Sequence, residues 1–175
     1  MTPAEHHARF QDCLAGHRGI VHKTARAFAT SPADAADLAQ ELWLQLWLAV
    51  PGFSGQARLS TWTYRVCLNT AMTWRRGATR REGHLVAGAD LALLPAAGPS
   101  PAEAAGERQL VEKLYEAVRA MPASDRALVL LLLDGLAYRE IAEITGLSEN
   151  HVGVALTRAR RRLAALMRGV TDGLD

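Results

Sequence analysis

The chain has 175 residues, of which 49% are hydrophobic and 22% charged, so it can bury a core and is not a disordered chain. Its longest apolar run covers residues 127–133, far fewer than the roughly 20 that cross a bilayer, and its start lacks a signal-peptide pattern. The net charge is only +2, but ten basic residues face five acidic ones within residues 1–81, which suggests a polyanionic partner. We therefore expect a cytoplasmic protein without direct membrane insertion.

Helix caps and a 3.6-residue apolar period recur along the sequence, while no alternating strand pattern stands out. This predicts an all-α fold of two small helical domains joined by a flexible linker. In the first part we expect an N-cap at Ser31 and another at Ser60. The predicted helices cover residues 3–29 with a break between Gly16 and Gly19, 32–50, 61–76, about 101–120, 123–134, 137–145 and 148–167. Residues 77–101 are rich in Gly, Ala and Pro, which is typical of a connector.

The sequence offers no catalytic or metal-binding pattern. Cys13 and Cys67 lack C-x-x-C spacing, so we expect two reduced, packed thiols. No Ser/His/Asp set, phosphate-binding loop or metal-spaced cluster is present. The sequence therefore predicts a protein that is not an enzyme and needs no cofactor, metal or small-molecule substrate.

Residues 136–163 have the spacing of two short helices that cross at a tight turn. Apolar residues at positions 141, 144, 152 and 156 supply a shared core, Gly146 tolerates a positive φ, and Ser148 suits an N-cap. This predicts a DNA-binding helix-turn-helix. The alternative is a plain helical hairpin, which needs the same apolar positions but neither the turn glycine nor the cap.

In a helix-turn-helix the second helix enters the major groove, with base-reading residues in its first turns. The candidates are Asn150, His151, Val154, Thr157 and Arg158. Arg160, Arg161 and Arg162 could neutralise phosphates, although basic residues near a helix C-terminus also complement the helix dipole.

Two tryptophans, Trp43 and Trp47, stand one helical turn apart in the second predicted helix. They are either core residues or part of a face that docks on a protein partner. The next helix carries Trp62, Tyr64 and several arginines. Aromatic side chains can stack on unpaired bases, and arginines can hold the nucleic-acid backbone. Packing in the core remains the alternative for both of these aromatic residues.

Three segments together carry a family resemblance: DAADLAQELWLQLW, then FSGQARLSTWTYR followed by Asn69, and finally LAYREIAEITGLSENHVGVALTRARRRL. In this order and separation they resemble the small two-domain sigma factors of the sigma-70 family, the extracytoplasmic-function type. The resemblance covers about residues 5–80 and 107–167. It implies sigma region 2 in residues 1–81, a linker in 82–106, sigma region 4 in 107–167 and a tail in 168–175.

The resemblance implies a bacterial protein that binds core RNA polymerase and directs it to promoter DNA. Core-polymerase contacts would come from Asp37, Gln40, Glu41, Trp43, Gln45 and Trp47. Contacts to the minus-ten element, including a flipped base, would come from Phe53, Ser54, Gln56, Arg58, Trp62, Asn69, Thr73, Arg75 and Arg76. Contacts to the minus-thirty-five element would come from Ser148, Asn150, His151, Val154, Thr157, Arg158 and Arg161. An anti-sigma factor commonly restrains such proteins.

One stretch departs from the family pattern. Many relatives carry basic residues in the first turns of the recognition helix, where this chain has Gly153, Val154 and Ala155. The minus-thirty-five sequence therefore cannot be inferred. Two other functions stay open: a stand-alone helix-turn-helix regulator, and a sigma-like adaptor that binds polymerase without opening promoters.

Overall fold

The computed structural model describes residues 2–81 and 101–171, and every regular element within these two ranges is helical. The all-α prediction is confirmed. The helices are α1 (Pro3–Phe28), α2 (Pro32–Ala49), α3 (Leu59–Arg81), α4 (Pro101–Ala120), α5 (Ala123–Leu133), α6 (Tyr138–Thr145) and α7 (Glu149–Thr171), with a 3-10 turn (Val50–Gly52) after α2. Most of the predicted linker, and the end of the predicted tail, lie outside the described residues.

Helix α1 bends in its middle, as its glycines predicted. His17 leaves helical geometry, with φ −128° and ψ 15°, beside Gly16 and two residues before Gly19. Glycine weakens a helix because it loses more backbone freedom than other residues. At the N-terminus, the Thr2 hydroxyl accepts from the Glu5 amide at 3.2 Å and the Glu5 carboxylate accepts from the Thr2 amide. This reciprocal capping box fixes the start of the helix.

Helices α1, α2 and α3 pack against each other and form the first module. One face of α2 presents Leu38, Leu42 and Leu46, all fully buried, at the spacing expected for a helix stripe. Phe28 of α1 and Cys67 of α3 are buried in the same cluster. Both cysteines are free and buried, which confirms the prediction of packed thiols.

The caps in this module were predicted with mixed success. The Ser31 hydroxyl accepts from the Asp34 amide at 3.1 Å, which confirms Ser31 as the N-cap of α2. The prediction for Ser60 was wrong, because α3 already begins at Leu59. The Trp62 amide donates to the Arg58 carbonyl at 3.0 Å, so the first helical hydrogen bond starts two residues earlier than a Ser60 cap would allow. The helix also continues past the predicted end at Arg76, to Arg81.

Helices α4 to α7 form the second module, and α6 and α7 build the predicted helix-turn-helix. Gly146 ends α6 at φ +75°, in the left-handed region that favours glycine. The Ser148 hydroxyl accepts from the His151 amide at 3.3 Å and caps α7. The predicted shared core is confirmed by its burial: Ile141, Ile144, Val152 and Leu156.

The two modules are in contact along α1 and α3 on one side and α4, α5 and α6 on the other. Their buried residues join in one apolar cluster, which includes Phe28 from the first module and Val118, Met121 and Leu128 from the second. None of the helices in the described ranges is long and apolar enough to cross a membrane. Residues 2–81 and 101–171 also contain no group of three or more metal-ligating side chains.

Candidate polymerase and nucleic-acid interface

The outer face of α7 carries the residues predicted to read duplex DNA. Val154 is 71% exposed, and its neighbours one or two turns away on the same face are also exposed. The Thr157 hydroxyl donates to the Gly153 carbonyl at 2.9 Å, and the residue is exposed beside Val154. The exposed residues of this face are Ser148, Asn150, His151, Val154, Thr157, Arg158 and Arg161.

Asp125 of α5 orients two arginines at the edge of this face. Asp125 is only 1% exposed. Its carboxylate accepts hydrogen bonds from Arg158, at 3.5 Å, and from Arg162, at closer range. The Arg158 side chain is still largely exposed. Asp125 therefore limits the rotamers of the Arg158 side chain, while the guanidinium remains accessible from outside. Gly153 has the Tyr138 ring beside it, with ring carbon Cε2 3.6 Å from the position that a Cβ would take.

The loop after α2 and the start of α3 bring several of the predicted minus-ten residues together. The Phe53 and Trp62 rings pack with centroids 5.2 Å apart, while Arg9 donates to the Phe53 carbonyl at 3.2 Å. Both rings are half-buried, whereas the polar loop residues Ser54 and Gln56 are exposed. The aromatic pair thus forms the floor of an open loop.

An exposed polar stripe continues from this loop along α3. Asn69, Thr73 and Arg76 lie at helical spacing and are exposed, and Arg76 donates to the Thr73 hydroxyl at 3.1 Å. Arg75 is half-buried on the neighbouring face. Arg65 is exposed and begins the stripe one turn earlier. It was not among the residues predicted from the sequence, although its spacing of four from Asn69 places the two on one helix face.

Helix α2 separates the predicted docking residues into exposed and packed ones. Asp37 and Gln40 are exposed, and Glu41 and Gln45 are half-buried and joined by a hydrogen bond of 2.9 Å. Trp47 stacks on His6 with centroids 3.9 Å apart. Both tryptophans, Trp43 and Trp47, also meet the Phe10 ring edge-on, at 6.1 and 5.1 Å. The two indoles are therefore half-buried against the first half of α1.

The accessible apolar side chains of α2 are instead two leucines. Leu44 is 49% exposed and Leu48 is 59% exposed, and they lie one turn apart in line with Gln40. We call Asp37, Gln40, Leu44 and Leu48 the outer stripe of α2. The sequence suggested the two tryptophans as docking residues because aromatic residues anchor many interfaces. In the structure, α1 packs against them and covers much of their surface.

A buried arginine joins the two modules. Arg126 of α5 is 0% exposed and donates to the carbonyls of Ala27 at 3.2 Å, Met121 at 2.9 Å and Arg119. These carbonyls lie at the C-terminal ends of α1 and α4, where helix carbonyls lack partners within the helix. Burial, together with the charges of Arg75 and Arg119, lowers the pKa of Arg126 to about 10. The guanidinium therefore stays charged at neutral pH.

Family comparisons agree with this arrangement. The family model for Sigma-70 region 2 matches residues 14–81, and the family model for Sigma-70, region 4 matches residues 111–163. Together the two matches cover more than two thirds of the chain. The chain belongs to the sigma-70 family, in its extracytoplasmic-function type. The first module contains sigma-70 region 2, and the second module contains sigma-70 region 4.

Individual relatives of this sigma-70 chain are distant. A protein described as a probable RNA polymerase sigma factor, RfaY of Xanthomonas campestris, is 32% identical over 82% of this chain but only 36% of its own length. The ECF RNA polymerase sigma-E factor of Escherichia coli is 28% identical over 74% of this chain and 72% of its own. This chain thus spans about a third of the first relative and most of the second.

The fold also matches a solved structure. A chain of the co-crystal structure of the sigma factor RpoE in complex with the anti-sigma factor NepR from Bartonella quintana aligns with a TM-score of 0.67 at 21% identity, over 90% of this chain and 95% of that chain. At this identity the likeness establishes the fold. It extends over both sigma-70 modules.

Proposed function

We propose that this chain binds core RNA polymerase and directs it to specific promoters, with no catalytic activity of its own. The observation that carries the proposal is the presence of regions 2 and 4 in one chain, in this order. We propose the bounds predicted from the sequence for these parts of the chain. Region 2 covers residues 1–81, the linker 82–106, region 4 107–167 and the tail 168–175. Such a factor acts on the chromosome, so we infer a cytoplasmic location.

In this proposal the outer stripe of α2 contacts the polymerase, and the polar residues Glu41 and Gln45 lie beside it. Two exposed leucines flanked by Asp37 and Gln40 give an apolar centre with a polar rim, the usual composition of a protein interface. Trp43 and Trp47 then support the helix from the α1 side. They contribute to docking through their exposed edges and through the position of α2.

The loop and α3 take the unpaired strand of the minus-ten element. Extracting a base costs a few kcal/mol, which a pocket and phosphate contacts must offset. The Phe53–Trp62 pair supplies a flat apolar surface for the base, and polar residues supply the rest of the pocket and the backbone contacts. These are the half-buried Arg75 and the exposed residues Ser54, Gln56, Arg58, Asn69, Thr73 and Arg76.

The outer face of α7 reads the minus-thirty-five element as duplex. Arg158, held by Asp125, is suited to a guanine edge, and the exposed methyl groups of Val154 and Thr157 are suited to thymine methyl groups. Ser148, Asn150, His151 and Arg161 complete the face. The small charge of its first turns fits a reader that is tethered to polymerase, because tethering raises its effective concentration at the promoter.

A further partner in this proposal is an anti-sigma factor. The aligned solved structure contains a sigma factor held by an anti-sigma factor, and the present chain shares that fold over both modules. A pull-down with the purified full chain from cells of its source, followed by identification of the bound protein, tests this part.

The decisive experiment is in-vitro transcription with purified core polymerase, the full chain and promoter DNA from its own locus. A specific transcript that depends on the chain supports the proposal. Binding to core without an open complex would favour a polymerase-binding adaptor instead. Tight, specific binding to duplex DNA in the absence of core, without transcription, would favour a stand-alone regulator.

A further inference from the structure

A cavity lies where the second half of α1, the first half of α2 and α4 meet. Its volume is about 390 Å³, within the range of roughly 300–1,000 Å³ that is usual for small-molecule sites. Helices that meet normally pack closely, and here small side chains leave the space open. Five of the residues that line the cavity are alanines: Ala25, Ala29, Ala35, Ala36 and Ala39. We call it the alanine cavity.

Much of the lining is apolar. Ala25 and Ala29 of α1 are buried, and the half-buried Trp43 of α2 adds an aromatic ring. Small-molecule sites are typically lined by apolar and aromatic side chains with a few polar groups that fix the orientation of the ligand. The alanine cavity has this composition, so it can hold the apolar body of a ligand.

Two guanidinium groups and one carboxylate also line the cavity. Arg26 pairs with Glu112 and lies over the Tyr115 ring, 4.2 Å from its centroid. Arg119 of α4 is half-buried, and its bond within the described residues is a long one to the Arg26 carbonyl, at 3.5 Å. A guanidinium carries several N–H donors, so Arg119 keeps donors for a ligand. The other polar side chains of the lining are His22, Thr30, Ser31 and Gln40.

The start of α2 does not supply the charge that an anionic ligand needs. The Ser31 hydroxyl accepts from the Asp34 amide at 3.1 Å, and the Thr30 hydroxyl donates to the Asp34 carboxylate. The positive end of α2 is therefore already matched by an acid of its own first turn. Arg119, on the α4 side of the cavity, is the cation that remains for an anion.

Polar contacts hold the α4 side of the cavity in place. Arg126 of α5 donates to the Ala27 carbonyl of α1 at 3.2 Å. Asp134, at the end of α5, accepts from the Lys23 ammonium of α1 and from the Tyr64 hydroxyl of α3, and its side chain is 9% exposed. A site that is already formed loses less conformational freedom when a ligand binds.

We propose that the alanine cavity binds a small molecule that combines an apolar body with one carboxylate. The carboxylate pairs with the Arg119 guanidinium, whose planar fork suits two parallel hydrogen bonds. The apolar body lies against the alanines and Trp43. At about 30 Å³ for each water molecule, the volume of 390 Å³ equals roughly 13 waters, so the ligand has about 10–15 non-hydrogen atoms. This binding site goes beyond the proposed function, and its test uses the free chain.

The test titrates the full chain with three probes that share one apolar body: 4-phenylbutyrate, 4-phenylbutan-1-ol and 4-phenylbutan-1-amine. Dissociation constants come from the shifts of backbone amides in two-dimensional NMR spectra. We expect the carboxylate to bind about tenfold more tightly than the alcohol, because charge-assisted hydrogen bonds are the stronger ones. The amine should bind most weakly, since Arg119 repels it. The largest shifts should come from the amides of Ala35, Ala36 and Ala39.

Two variants test the two halves of the site. Arg119→Gln should weaken binding of the carboxylate about tenfold and leave binding of the alcohol unchanged. Ala36→Leu puts a larger side chain into the cavity and should weaken binding of both probes. The matched controls are Arg108→Gln on α4 and Ala33→Leu on α2, neither of which lines the cavity; both should bind as the wild type does. Circular dichroism establishes that each variant is folded, and Arg119→Gln tests the site even if Ala36→Leu does not fold.

Saturable binding of the carboxylate with these preferences supports the site. The site is overturned if 4-phenylbutyrate causes no saturable shift, if all three probes bind equally, or if the shifts lie away from the cavity. Equal losses in Arg119→Gln and Arg108→Gln would also overturn it, because they would indicate general attraction to a basic chain. Transcription with core polymerase is measured separately without any probe, so the failure of this site and the failure of the proposed function are distinguishable.

Discussion

Arg158 is the residue whose surroundings most directly determine how α7 could read DNA. Asp125 holds one side of its guanidinium at 3.5 Å, and the rest of the side chain is exposed. A pre-oriented arginine loses less conformational freedom on binding a base edge than a free one does. The same carboxylate also binds Arg162, so one buried acid positions two cations of the helix.

We predict that Arg158→Ala weakens binding of the minus-thirty-five duplex by about 1–3 kcal/mol and relaxes the preference at one base pair. The measurement is competition binding of holoenzyme to a panel of duplexes with single substitutions. Arg160→Ala is the matched control, because Arg160 donates to the Tyr138 hydroxyl on the other side of the helix. Equal losses for both variants on every duplex would assign Arg158 to phosphate contact only.

The two thiols give a second prediction at this scale. Burial, with a smaller contribution from Cys13, raises the pKa of Cys67 to about 12, and burial also raises the pKa of Cys13. Since only the thiolate reacts, Ellman's reagent at pH 8 should modify neither cysteine within minutes in the folded chain. Both should react at once in 6 M guanidinium chloride. Rapid modification without denaturant would mean that the α1–α3 packing opens readily.

Among single residues, those whose roles depend on local backbone geometry could be predicted from the sequence. Ser31, Ser148 and Gly146 are examples, because an N-cap or a left-handed turn is a property of a few neighbouring residues. The roles of Arg126 and Asp134 could not be predicted. Each depends on partners about 70 to 110 positions away, and nothing in the adjacent sequence distinguishes them from surface charges.

Helices α2 and α3 illustrate the same limit for whole elements. The apolar stripe of α2 predicted its buried face, but the sequence alone did not separate Trp47, which is covered by α1, from Leu48, which is exposed. The start of α3 was misplaced because a serine near a helix start is a common N-cap, and here the first turn closes on the Arg58 carbonyl instead. Helix ends depend on one or two hydrogen bonds and are poorly specified by composition.

The packing of α2 predicts different effects for its leucines and its tryptophans. Leu44→Gln and Leu48→Gln should leave the melting temperature nearly unchanged and weaken core-polymerase binding about tenfold, because exposed apolar side chains act only in the interface. Trp47→Ala should instead lower the free energy of unfolding by about 2 kcal/mol or more, since it removes contacts with His6 and Phe10.

Urea denaturation and binding to fluorescently labelled core provide these two measurements. The informative control is Leu110→Gln, a substitution of an equally exposed leucine on α4, which should change neither value. If Leu48→Gln binds core as the wild type does, the outer stripe of α2 is not the docking surface.

For the whole molecule, the contact between the modules determines how the chain unfolds. Arg126 is buried between the ends of α1 and α4, and it donates to three backbone carbonyls. Replacing it removes those donors, and each buried carbonyl left without a partner costs about 1–3 kcal/mol. The loss weakens the contact between the modules, because two of these carbonyls belong to the second module and one belongs to the first.

We predict that the wild-type chain unfolds in one calorimetric transition, whereas Arg126→Met unfolds in two, one for each module. Methionine keeps an apolar side chain of similar length and cannot donate a hydrogen bond. Arg108→Met, an exposed substitution on α4, should leave a single transition. A single, unshifted transition for Arg126→Met would show that this arginine does not couple the modules.

All four tryptophans of the chain lie in α2 and α3, two of them half-buried against the first half of α1. Indole emission therefore reports on the first module alone, while circular dichroism at 222 nm reports on helices throughout the chain. The wavelength of maximum emission and the ellipticity can be followed in one sample as urea is raised. The separation between the two midpoints then measures, without any label, how strongly one half of the molecule depends on the other.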